Sequence, residues 1–147
     1  DKYLNLDQFE YLVGCDFVFI MVQTPFDCHK NMVDDSAILE SLSRLEDLEY
    51  SNVVIIKSTV APGSCLNYSS MFNLEIVFNP EFLRESTTPN EDFENQDTIV
   101  IGTENEPVFR SVREMYEKVC ISNAVYHHTS LKEAEMIKSS QNAIKRN

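Results

Sequence analysis

The feature that most constrains this chain is a series of short apolar runs, each closed by a polar, turn-prone tip. The runs are DFVFIMV at 16–22, VVII at 53–56, LEIVF at 74–78 and TIVIG at 98–102. Runs of this length, without an alternating wet face, suit strands covered on both sides, as in a parallel sheet. Helix signals fill the stretches between them. Asp34 or Asp35 can cap a helix that carries Ile38, Leu42 and Leu45 on one stripe. Pro62-Gly63 turns the chain into a short helix over residues 64–71. Asn105 and Pro107 open another, with Val108, Val112, Met115 and Val119 as its expected core stripe. Residues 86–97 read as a polar, proline-containing loop, and 124–126 as a short fifth strand. Ser130 and Glu133 form a capping box ahead of a last helix. Strands and helices alternating in this order predict an α/β sheet with right-handed crossovers.

Bulk properties exclude several classes. The 147 residues suffice for one domain with a core. A net charge of −12 argues against a general nucleic-acid surface. No apolar run approaches the roughly 20 residues of a membrane span, and the first residues, DKYLNLDQFE, show no signal pattern. Cys15, Cys28, Cys65 and Cys120 form no C-x-x-C pair and match no zinc template. Cys15 and Cys120 adjoin apolar runs and are expected to be buried thiols in a reducing, cytoplasmic setting. Cys28-His29 and His127-His128 lack the further ligands of a metal site. The sequence starts without Met and ends within a helical pattern, which suggests a piece of a longer protein.

In open α/β sheets, ligands bind beyond the carboxyl ends of the strands. The tips Gln23-Thr24-Pro25, Lys57-Ser58-Thr59 and Asn79-Pro80-Glu81 are therefore expected to share one rim. Thr-Pro and Asn-Pro also make plain turns, so three polar tips in succession favour a site without proving one. On the last helix, Lys138 and Asn142 lie four residues apart and share a stripe with Leu131 and Ala134. A lysine there either reaches a buried partner or snorkels to solvent.

The segments DFVFIMVQTP, VVIIKSTVAPG, FNPEFLRES, DTIVIG and EAEMIKSSQN, in this order, resemble the UDP-glucose/GDP-mannose dehydrogenase family over about residues 16–142. The resemblance implies a partial Rossmann-like sheet, the second half of an NAD-binding domain at 1–128, and the start of a connecting helix and dimerisation domain at 129–147. It implies NAD as cofactor, a UDP-sugar as substrate and a homo-oligomeric intact protein. Members oxidise a nucleotide-sugar alcohol to the acid in two steps, with a cysteine carrying the substrate as a thiohemiacetal and then a thioester. Carried over by motif, Thr24 resembles a threonine that borders NAD. Ser58 and Thr59 resemble a pair that contacts NAD and helps hold a catalytic water. Glu81 resembles the proposed general base. Phe82, Leu83, Arg84 and Glu85 resemble the loop around the nucleotide sugar, with Glu85 also near the nicotinamide. Lys138 and Asn142 resemble the pair that stabilises the developing oxyanion.

Departures from the pattern set further expectations. Ser86 stands where the family usually has glycine. No G-x-G-x-x-G occurs among the three glycines, and the family's glycine-rich nucleophile segment is not in this sequence. Gly63-Ser64-Cys65 follows the S-T-V motif directly, which is the wrong place, so Cys65 receives no catalytic role. The chain alone is expected to be inactive. In a sheet of order 3-2-1-4-5-6, the strand at 16–22 would lack its neighbour and leave an apolar edge prone to association. A GDP-mannose enzyme, a non-catalytic nucleotide-binding remnant and other NAD-dependent dehydrogenases are the rival readings.

Overall fold

The computed structural model describes residues 8–29, 31–82, 89–120 and 123–145. A 3-10 turn at Phe9–Gly14 leads into strand β1, Phe17–Ile20. A small antiparallel hairpin follows, β2 at Phe26–Asp27 and β3 at Met32–Val33. Then come α1 (Ser36–Asp47), β4 (Val53–Ile56), α2 (Ser64–Met71) and β5 (Glu75–Phe78). The second half holds α3 (Pro89–Glu94), β6 (Thr98–Gly102), α4 (Glu106–Glu117), β7 (Val125–Thr129) and α5 (Leu131–Lys145).

Five strands form one sheet in the order β1-β4-β5-β6-β7. Alternation along the strands explains the unbroken apolar runs. Val54, Ile56, Ile76, Phe78 and Val100 join a core with Ile38, Leu42 and Leu45 of α1, Tyr68 of α2, and Leu131 and Ala134 of α5. The intervening Ile55, Val77, Ile99 and Ile101 face the other way, onto Phe109, Val112 and Tyr116 of α4. The central strands β4, β5 and β6 therefore need apolar residues at consecutive positions, because both of their faces are covered. β1 lies at one edge, where Phe19 remains 37% exposed.

The direction of β6 departs from the expected all-parallel order. β1, β4 and β5 are parallel, but β6 meets β5 antiparallel through Phe78 and Gly102, and β7 then runs parallel to β6. A parallel crossover has to carry the chain back along the sheet, usually on a helix. The chain enters β6 from the carboxyl end of β5. The small helix α3 also lies in the stretch read as loop. On α4 the buried residues are Phe109, Val112 and Tyr116, while Val119 lies past the helix end and is half exposed. The expected stripe favoured aliphatic residues over two aromatic ones one position away. Cys15 is exposed and Cys120 only partly covered, against expectation; the buried thiol is Cys65.

Candidate active site

The rim at the carboxyl ends of β1, β4 and β5 is tied together by side chains from each tip. Ser58, just past β4, is buried. Its hydroxyl accepts the Val22 N–H at 2.8 Å and donates to the Val22 carbonyl at 2.8 Å. The Thr24 hydroxyl donates to the Thr59 carbonyl at 2.7 Å. Both bonds span the gap between the β1 and β4 tips. The Ser58 hydroxyl, engaged on both sides, fixes those tips relative to each other. Thr24 is half-buried, and Gln23 and Thr59 are exposed at the rim.

A denser polar cluster sits at the β5 tip. Asn79 is buried and donates its side-chain amide to the Val100 carbonyl at 2.7 Å. That bond leaves its oxygen facing Lys57 Nζ, 2.9 Å away, and the Tyr116 hydroxyl, which donates to the same oxygen. Lys57 Nζ also donates to the Tyr116 oxygen at 3.2 Å and pairs with Glu81 Oε2 at 3.1 Å. Its side chain is only 9% exposed, against 33% for Glu81. Burial lowers the Lys57 pKa from its ordinary value, while the Glu81 charge and hydrogen bond oppose that. Burial pushes the Tyr116 phenol up, with Glu81 adding to the effect, so Tyr116 stays a donor. The second Glu81 oxygen accepts the Phe82 N–H at 3.0 Å.

α5 closes the cluster from the other side. Its start is the expected capping box: Ser130 Oγ accepts the Glu133 N–H, and Glu133 accepts the Ser130 N–H. Leu131 and Ala134 dock on the core. One turn further, half-buried Lys138 donates to the Glu81 backbone carbonyl and lies 5.6 Å from the Phe82 ring centre. Asn142 follows one turn on, half-buried. Of the two readings left open for Lys138, the buried partner is the one realised. Glu81, Phe82 and Lys138 are thus brought together, Thr24, Ser58 and Thr59 form an adjoining group, and consecutive residues of the β4 tip join the two. Leu83, Arg84 and Glu85 lie outside the described residues.

Four residues of consequence carried no assigned role in the sequence reading: Lys57, Asn79, Tyr116 and Glu135. A lysine directly after a four-residue buried strand was a usable signal for Lys57. Glu135 is fully buried beside Ala134. Its carboxylate accepts the Gly63 N–H at 2.5 Å and the Cys65 N–H at 2.8 Å, capping α2. Gly63 takes φ +93°, a conformation glycine adopts without a steric penalty. Cys65 is buried beneath it. Burial, reinforced by Glu135, pushes its thiol far up, away from the thiolate a nucleophile needs.

A sequence model of the NAD binding domain of the UDP-glucose/GDP-mannose dehydrogenase family matches residues 4–120. The chain belongs to this family. UDP-glucose 6-dehydrogenase of Rickettsia felis is 31% identical over 148 residues, covering 97% of this chain and 32% of that protein. The Rickettsia bellii enzyme of the same name is 34% identical over 140 residues, covering 91% and 32%. The chain therefore spans about a third of the length of these relatives. Among solved structures, a UDP-glucose dehydrogenase from Pyrobaculum islandicum superposes with a TM-score of 0.78 at 26% identity, over 92% of this chain and 33% of that one. A GDP-mannose dehydrogenase from Pseudomonas aeruginosa gives 0.75 at 25% identity, over 92% and 33%. The mostly parallel sheet is thus the Rossmann-like sheet of a dehydrogenase NAD-binding domain, and NAD is the cofactor of that domain.

The residues present fit one part of NAD better than another. Thr24, Thr59 and Gln23 offer hydroxyl and amide groups suited to ribose and nicotinamide. A pyrophosphate calls for a vacant helix N-terminus or a glycine turn. Among the described residues, the helices of eight or more residues already hold acids there. Asp34 accepts the Ser36 N–H at α1, Glu135 caps α2, Glu106 opens α4 and Glu133 caps α5. Among the described residues, no vacant helix N-terminus of this kind is offered to a diphosphate.

Proposed function

We propose that this chain is the base-bearing part of an NAD-dependent nucleotide-sugar dehydrogenase that oxidises UDP-glucose to UDP-glucuronate. The observation that carries the reading is the meeting of Lys57, Glu81 and Lys138 at the end of β5, with the Thr24–Thr59 rim beside it. NAD, when bound, supplies the acceptor for hydride equivalents. The chain supplies what surrounds that chemistry. Glu81, partly exposed and oriented by the Phe82 N–H, is placed to accept a proton from a sugar hydroxyl. Lys138 stands beside it as a cation that offsets negative charge growing on oxygen, and Asn142 adds an amide from the next turn. Ser58 holds the two tips that place Thr24 and Thr59 toward the cofactor. By resemblance, Phe82, Leu83, Arg84 and Glu85 serve the nucleotide sugar, and Glu85 also the cofactor.

Residues 1–128 act as the partial cofactor domain and 129–147 as the start of a connecting helix. The chain by itself is inactive in this reading, since it supplies neither a diphosphate cradle nor a nucleophilic thiol. UDP-glucose is favoured because relatives at 31% and 34% identity carry that activity in their names. A GDP-mannose substrate is the second reading, supported by the superposition on the Pseudomonas enzyme.

Calorimetric titration of the purified chain with NAD, UDP-glucose and GDP-mannose in turn tests the reading. Weak binding of NAD and of UDP-glucose is expected, with Glu81→Gln weakening the sugar nucleotide more than NAD. No NADH should form when both are present. A folded chain that binds neither nucleotide overturns the proposal, and stronger binding of GDP-mannose than of UDP-glucose transfers it to the second substrate.

A further inference from the structure

Lys57, its side chain 9% exposed, is a cation that the expected chemistry leaves without a task. An ammonium group has three N–H donors and no acceptor. Lys57 meets three oxygens: Asn79 Oδ1 at 2.9 Å, the Tyr116 hydroxyl at 3.2 Å and Glu81 Oε2 at 3.1 Å. Each of those oxygens is held from elsewhere. Asn79 is pinned by the Val100 carbonyl of β6, the Tyr116 hydroxyl donates to Asn79, and Glu81 receives the Phe82 N–H. Elements β4, β5, β6 and α4 thus fix the ammonium in place, and among the described residues its charged partner is the partly exposed carboxylate at the rim.

We propose that Lys57 is the positioning residue of this site: from inside the sheet, its ammonium holds the Glu81 carboxylate in one orientation. The inference rests on the reading of Glu81 as proton acceptor. Its consequence is specific. One carboxylate oxygen of Glu81 is held from inside the sheet by Lys57, and the other receives the Phe82 N–H. Other titratable groups around this pair, among the described residues, are Tyr116 on α4, Cys120 just beyond it and Lys138 on α5. Lys138 addresses the Glu81 backbone carbonyl, whereas Lys57 addresses the carboxylate.

Carbon-detected NMR titration of the Glu81 carboxyl, in the chain and in Lys57→Met, tests this directly. The Glu81 midpoint is expected to rise without Lys57. Glu81→Gln supplies the reciprocal measurement should Lys57→Met fail to fold, since Glu81 is one-third exposed. There the Lys57 midpoint is expected to fall, because the carboxylate that raises it is gone. Unmoved midpoints in the variant that folds overturn the proposal. Intact coupling in a chain that binds no nucleotide overturns the catalytic reading of Glu81 while supporting the Lys57–Glu81 lock, so the two failures are distinguishable.

Discussion

Gly102 sits where α5 approaches the sheet most closely, and replacing it with alanine is the sharpest test of how the helix is placed. A Cβ at that position would lie 2.7 Å from the Ala134 Cβ, 3.1 Å from the Ser130 carbonyl oxygen and 3.2 Å from the Phe78 carbonyl oxygen. Carbon pairs settle at about 3.5–4.0 Å, so α5 must retreat by on the order of 1 Å. Overpacking of this kind costs about 1–3 kcal/mol. Alanine recovers roughly 0.5–1 kcal/mol through the smaller entropy of its unfolded chain. A net loss of about 1–2 kcal/mol is expected. Ala134→Gly removes the methyl that meets the new one. Urea unfolding of Gly102→Ala, Ala134→Gly and the double variant should therefore show Gly102→Ala costing less in the Ala134→Gly background, by about 1 kcal/mol of coupling. The two oxygen contacts remain, so rescue should be incomplete. Equal cost of Gly102→Ala in both backgrounds, or a stabilised single variant, would refute the close docking of α5 on β6. The same helix carries Lys138, so its retreat should also weaken the Lys138–Glu81 contact, visible as altered Glu81 and Phe82 amide shifts.

Glu135→Ala leaves the Gly63 and Cys65 N–H groups without their buried acceptor; a loss of about 3–5 kcal/mol in urea unfolding is expected, and a loss under about 1 kcal/mol contradicts the cap. Ser58→Ala strips the Val22 N–H of its partner, for a loss of about 1–3 kcal/mol and weaker NAD binding; unchanged stability would show the β1 and β4 tips to be held by other means. Hydrogen bonds from Ser130 lower the Glu133 pKa below its ordinary 4.5. Its contribution is therefore present above the unfolded-state value and lost as pH falls through the lower folded one. The stability advantage of the native chain over Glu133→Gln should shrink on acidification; an advantage that holds at low pH excludes the capping carboxylate as its source.

Local sequence determined the elements themselves. Val53–Ile56 and Ser64–Met71 form where periodicity and the Pro62-Gly63 turn place them, and the Ser130–Glu133 box starts α5. These depend on neighbours within a few residues, and a strand buried on both faces needs an unbroken apolar run whatever its partners are. The motif order likewise carried the family likeness, and with it the candidate residues at the strand tips. Tertiary structure decided the rest. The reversal of β6 is set by its pairing beside β5, which local sequence does not encode. The cap on α2 comes from a glutamate 70 to 72 residues away, and the Lys57 lock joins residues 22 and 59 positions apart. Periodicity cannot encode such contacts, because a side chain's partner depends on where the sheet and helices bring distant segments together. For the same reason Tyr116, given no role from sequence, became a hydrogen-bond donor in the fold: its buried hydroxyl donates to the Asn79 oxygen and accepts from Lys57.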